Sequence, residues 1–171
     1  VSVRFSEADF AGWPFGYDTL ADDYSAVEKL ITVCGTKEGI PELPDGEFIP
    51  PKPLRPADKI IVSAVNALNE PFSHAIPNRK AIITTPGLAS SCISTGICTS
   101  GCPVGAVYKF SARLLPEIAG LPNYELRTNA KVTRVLRDGT SERVSGVEYI
   151  DTETGERRTL SARFVVLAAG A

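Results

Sequence analysis

Tyr124-Glu125-Leu126-Arg127-Thr128-Asn129-Ala130-Lys131-Val132-Thr133-Arg134-Val135-Leu136-Arg137-Asp138-Gly139-Thr140 is rich in β-branched residues and closes on a turn signal. Two further runs of the same kind follow, Arg143 to Asp151 and Glu156 to Ala162, divided by Thr154-Gly155. Short strands separated by Asp-Gly and Thr-Gly pairs predict antiparallel hairpins, so Tyr124–Thr128, Ala130–Arg137, 143–151 and 156–162 are expected as a small meander. Phe164-Val165-Val166-Leu167-Ala168 has no alternation, which predicts a strand covered on both faces in a parallel sheet. Its end, Ala168-Ala169-Gly170-Ala171, puts small residues at a carboxyl sheet edge, where open α/β folds bind ligands. No G-x-G-x-x-G is present, so the pyrophosphate fingerprint is missing from these residues.

Upstream the pattern is helical. Leu20, Tyr24, Val27 and Ile31 fall on one helical stripe after Asp18, a candidate cap, and Gly35 reads as the stop. Cys34 reads there as a small buried hydrophobe. Six prolines between Pro41 and Pro56 forbid a continuous helix or central strand and predict an extended connector. A second helix is expected from Pro56 to about Leu68, ended by Asn69, and a third from Ala106 to Ala119 with Gly120 at its C-terminus. His74, the single histidine, lies in an unassigned stretch and reads as an ordinary loop residue.

Between these segments lie Cys92, Cys98 and Cys102, three of the four cysteines, spaced C-x5-C-x3-C among glycines and followed by Pro103. Thiolates are soft ligands suited to iron-sulfur clusters or zinc. Zinc ordinarily takes four closed ligands, and a disulfide between two of the three would leave one thiol for Cys34 to pair with. Cluster, disulfide, zinc and free thiols all remain open on spacing alone.

The 171 residues are 43% apolar and 22% charged with a net charge of -2, an ordinary composition for a chain with a buried core. No basic stripe suited to nucleic acid and no apolar run of membrane-spanning length is present, so neither nucleic-acid binding nor a membrane span is expected. The absence of methionine and of a secretory pattern leads to the expectation of an internal piece of a longer protein.

Four segments in order resemble the glucose-methanol-choline (GMC) flavin oxidoreductases, which oxidise alcohol groups with FAD. Trp13-Pro14-Phe15-Gly16-Tyr17-Asp18-Thr19-Leu20 with Tyr24 is similar to the family's W-P-x-x-Y segment. Cys102-Pro103-Val104-Gly105-Ala106 resembles its C-P-x-G-A stretch, 124–135 its adenine-passing strand pair, and 164–171 its V-V-L-A-A-G-A strand. The resemblance implies an α/β (α+β) fragment. Residues 1–86 would belong to a substrate-domain insertion, 87–105 to a cysteine-rich loop, and 106–171 to a partial FAD-binding, Rossmann-like domain with a β-meander. It assigns Val132, through its backbone, and Ala168, Ala169 and Gly170 to FAD.

The C-x5-C-x3-C spacing is similar to that of the membrane-associated sugar dehydrogenases of the same family. That likeness implies a 3Fe-4S cluster on Cys92, Cys98 and Cys102, a cytochrome c subunit, a small subunit, and the periplasmic side of a bacterial inner membrane. The substrate implied is a small alcohol or sugar. The family's G-x-G-x-x-G and catalytic histidine would lie outside these residues, which assigns no catalytic residue to the chain and leaves it inactive by itself. Two rivals are a cluster-free soluble oxidase of the family and a disulfide-stapled binding module.

Overall fold

The computed structural model describes residues 4–71, 73–139, 141 and 143–170. It divides into two compact units, 1–117 and 118–171.

In the first unit a short 3-10 turn, Glu7–Phe10, leads into helix α1, Tyr17–Ile31. The helix begins at Gly16, and its first orphan donor, the Tyr17 N–H, goes to the Glu7 carboxylate at 2.8 Å. Asp18 lies inside the first turn instead of capping it, because a carboxylate ten residues upstream already fills the capping position. Glu7 also accounts for Gly16: a Cβ there would lie 2.6 Å from the Glu7 carboxylate. The helix ends at Thr32, left-handed at φ 60°, so Gly35 is not the stop.

Strand β1, Val33–Cys34, follows directly and pairs antiparallel with β2, Lys80–Ala81, with Cys34 opposite Lys80. The Ile49 N–H donates to the Val33 carbonyl and the Gly35 N–H to the Ile49 carbonyl, which fastens the proline-rich connector along β1. Helix α2, Pro56–Leu68, has the expected bounds, with proline at its start and Asn69 left-handed at its end. Two four-residue turns, α3 (Phe110–Arg113) and α4 (Leu115–Ile118), stand where one helix from Ala106 to Ala119 was expected. Pro116 supplies the reason, since its ring removes a donor and clashes with the preceding turn. Ala106 is fully buried before the turns, and its carbonyl accepts the Ile83 N–H.

Much of this unit's interior is polar. Glu28, 3% exposed, is the most enclosed residue of α1, whereas Val27, expected on its apolar stripe, is 52% exposed. The Glu28 carboxylate accepts from the buried Arg4 guanidinium at 2.6 and 3.1 Å and from the Glu47 N–H at 2.8 Å. Arg4 also donates to the Tyr17 hydroxyl and to Ser25, so this pair is fully satisfied.

The second unit is a three-stranded antiparallel meander in the order β3-β4-β5: Ala130–Arg137, Val144–Asp151 and Arg157–Ser161. The hairpin at Thr154-Gly155 closes with the Asp151 N–H on the Glu156 carbonyl. Of the other turn, Thr140 lies outside the described residues, and the Asp138 N–H meets the Arg143 carbonyl. Tyr124–Thr128 is irregular instead of strand. Phe164–Ala168, expected as a buried parallel strand, is unpaired, with Phe164, Val166 and Leu167 all at least 74% exposed. A strand exists only where a neighbour takes its N–H and C=O groups, and among the described residues no neighbour does so. The sheets in the two units are thus both antiparallel.

Candidate functional site

β3 is an edge strand, and the direction of its backbone follows from one hydrogen bond. The Thr152 N–H donates to the Asn129 carbonyl at 2.8 Å, making 129 and 152 a hydrogen-bonded pair. Bonded and non-bonded pairs alternate along an antiparallel ladder. With Ala130 opposite Asp151, Lys131 opposite Ile150 and Val132 opposite Tyr149, the backbone N–H and C=O of Val132 point away from β4. They face the free edge of the sheet, where a donor and an acceptor stand together. The register shifts between Val132 and Arg134, a bulge at Thr133, whose hydroxyl bonds to the Glu148 carboxylate at 2.9 Å. That contact, with Arg157 at 3.0 Å, holds the Glu148 carboxyl below its ordinary range.

A donor and an acceptor thus stand side by side at this edge, at the residue expected from the resemblance to meet FAD. Ala168, Ala169 and Gly170 lie in the same unit, exposed, with Gly170 left-handed at φ 73° and open space where a Cβ would stand. Among the described residues they are not drawn into one cavity with Val132. A separate hollow of about 370 Å³ in this unit is lined by charged side chains, among them Arg127, Asp151 and Arg158. Its arginines are already paired, Arg127 with Glu125 at 2.6 Å and Arg158 with Glu156 at 2.8 Å.

The cysteines sit in the other unit, and all four are free thiols. Cys92 and Cys98 line a cavity of about 570 Å³ with Cys34, Lys80, Lys52 and Thr84. Cys102 is not on its wall. Instead the backbone N–H of Val107, followed by those of Val104, Ala106 and Gly105, faces the Cys102 sulfur and holds its thiol below the usual range. Cys34 behaves oppositely, with burial pushing its thiol up. Among the described residues no three His, Cys, Asp or Glu side chains come together as a metal set. Cys92 and Cys98 thus line the cavity, Cys102 does not, and nothing in this arrangement supports a 3Fe-4S cluster on the three.

Cys34 joins the cavity although it lies far from the other cysteines in sequence. Its spacing carries no signal of that; only the β1–β2 pairing brings it there. His74 lines a different hollow with Glu38, Glu42 and Asn66, on an exposed loop. No helix among the described residues is long and apolar enough to cross a membrane.

Comparison with known proteins adds three similar chains. One is 6'''-hydroxyparomomycin C oxidase of Streptomyces lividus, 31% identical over 93% of this chain and 29% of the relative. Paromamine 6'-oxidase of Streptomyces fradiae is 32% identical over 93% of this chain and 28% of its own length. 2-Methyl-1,2-propanediol dehydrogenase of Mycolicibacterium austroafricanum is 30% identical over 92% and 28%. The chain thus spans less than a third of the length of these curated relatives. The family model for GMC oxidoreductase matches residues 56–171, a stretch that holds α2, the cysteine loop and the whole meander, and the chain belongs to the GMC oxidoreductase family.

Proposed function

We propose that these residues form part of an FAD-dependent oxidoreductase that oxidises a CH–OH group of a sugar-like or small polyol substrate. The observation that carries the reading is the outward-facing backbone of Val132 at the free edge of β3, within the stretch that matches the family model. The relatives' names support the substrate class, one being an oxidase of 6'''-hydroxyparomomycin C, one a paromamine 6'-oxidase and one a dehydrogenase of a propanediol. A bound flavin would supply the hydride acceptor for the carbon that bears the hydroxyl. This chain's part is to hold and orient. Val132 would offer its N–H and C=O to the adenine, and the small side chains of Ala168, Ala169 and Gly170 would leave room for the dinucleotide in a Rossmann-like domain.

The 106–171 region is assigned on this reading to the cofactor domain, and 1–86 to the substrate-domain insertion. Electron relay through a three-iron cluster to a cytochrome c subunit has no support from the thiol arrangement, which leaves a cluster-free enzyme of the family.

The test is a full-length protein carrying these residues. Flavin content is measured by release and chromatography, and oxidation is followed with aminoglycoside, pyranose and vicinal-diol panels. One FAD per chain and anaerobic bleaching of its absorbance by at least one alcohol are expected. A purified, folded protein that takes up no flavin, or whose flavin no alcohol bleaches, overturns the reading.

A further inference from the structure

The cavity in the first unit brings together two cysteines that are remote in sequence, and a single backbone framework does so. Cys34 lies opposite Lys80 in the β1–β2 pair. The chain then tightens, with the Ile82 N–H donating to the Lys80 carbonyl at 2.9 Å, and the carbonyl of Ile83, three residues beyond Lys80, accepts the Cys92 N–H at 2.9 Å. Cys34 and Cys92 both line the cavity of about 570 Å³. After burial and the hydrogen bonds around it, the Cys92 side chain is among the groups that act on the Cys34 thiol. Their environments differ in a useful way. Cys92 is half-buried and its sulfur receives the Ser94 N–H at 3.4 Å, whereas Cys34 is 5% exposed, and burial there outweighs the backbone hydrogen bonds of Lys80 and of its own residue. Lys52 and Lys80 lie on the same wall.

We propose that Cys34 and Cys92 form an oxidisable dithiol site that reacts with a small hydroperoxide. Cys92, the accessible thiol, attacks the peroxide; the O–O bond breaks, the sulfur becomes a sulfenic acid, and for hydrogen peroxide one water leaves. Cys34 then attacks that sulfur, the S–O bond breaks, a second water leaves with the remaining thiol proton, and the Sγ–Sγ bond forms. Two thiols and one hydrogen peroxide thus give one disulfide and two waters. The product ties the strand after α1 to the start of the cysteine loop. Cys98 lines the same cavity from an exposed stretch and Cys102 lies outside it, so a Cys92–Cys98 link is the competing outcome.

The test treats the full-length protein with stoichiometric hydrogen peroxide, counts thiols in denaturant with a chromogenic disulfide reagent, and maps peptides without reduction. The expected result is two thiols fewer per chain and a Cys34–Cys92 linked peptide, restored to free thiols by dithiothreitol. The linked peptide should persist in Cys98→Ser and Cys102→Ser and vanish in Cys92→Ser, in which Cys34 stays a thiol. Cys92→Ser changes a half-buried loop residue, so the test stands even where Cys34→Ser fails to fold. Undiminished thiols, a link between any other pair, or sulfinic acid without a disulfide would overturn the assignment.

Discussion

The Arg79 guanidinium, 2% exposed, donates to the Asp45 carboxylate at 2.9 Å while lying 4.7 Å over the Phe48 ring. Its fork also reaches Glu38 at 3.1 Å and the carbonyls of Thr36, Leu43 and Pro44, so one side chain gathers the loop between β1 and the proline-rich connector. The two terminal nitrogens of the planar fork serve this set while its Nε has no partner; a single ammonium cannot reach all of them. Arg79→Ala should lower stability by about 3 kcal/mol, because it leaves carboxylates and carbonyls without their partner. Arg79→Lys should recover less than half of that. Urea midpoints of the two variants against the parent check the order, and a lysine variant as stable as the parent would contradict the fork's role.

Asp45 makes the same loop sensitive to acid. Burial alone would raise its carboxyl, and it is the largest single influence, but the N–H groups of Glu38 and Gly39 and the Arg79 charge together hold it below the ordinary range. A carboxyl whose folded value lies below its unfolded one, about 4, stabilises the fold above that pH. The contribution disappears as pH falls through the folded value. Asp45→Asn should therefore lower the melting temperature at pH 7 and make little difference near pH 2. Melting curves of both proteins across pH 2–7 should converge at the acid end, and parallel curves would assign the acid response to other groups.

Gly146 is required by the sheet itself. It sits in β4 opposite Ser161 at φ 155°, and a Cβ there would fall on the Leu160 carbonyl, a backbone group that cannot swing aside. Gly146→Ala should cost about 2–3 kcal/mol and release β5 from the meander. Amide exchange should show Leu160 losing protection, with Lys131 and Ile150 keeping theirs.

The extent to which this architecture can be read from sequence follows the range of the interactions. The Pro56 to Asn69 helix and the three strands of the meander are encoded by neighbouring residues, through a proline at the first turn, an asparagine that tolerates a left-handed backbone, and turn pairs between β-branched runs. Phe164–Ala168 is different, because an apolar run of that length is a strand only in the presence of partner strands. The buried Arg4–Glu28 pair escapes periodicity analysis because a charge on a helix reads as solvated until its partner, 24 residues away, is known. The cysteines show the limit of spacing: C-x5-C-x3-C leaves cluster, disulfide, zinc and free thiols open, and it carries no sign that Cys34 joins Cys92 and Cys98 on one cavity wall.

The outward backbone of Val132 yields the sharpest test of the cofactor assignment. Because its side chain is 53% exposed and its N–H and C=O lie on the free edge of β3, recognition there would pass through the backbone alone. Val132→Ala should leave flavin content unchanged in the full-length protein. Val132→Pro removes the outward N–H but breaks no β3–β4 hydrogen bond, and Lys131 before it is already extended, as proline demands. The sheet should survive, with a melting temperature within a few degrees of the parent. The loss of one hydrogen bond of about 1–1.5 kcal/mol predicts FAD binding weakened by roughly fivefold to tenfold, measured as the Kd from flavin fluorescence titration of the deflavinated protein. Equal Kd values for the proline and alanine variants would place adenine recognition elsewhere. A proline variant that unfolds would show that the amide belongs to the ladder, in conflict with the alternation set by the Thr152–Asn129 bond.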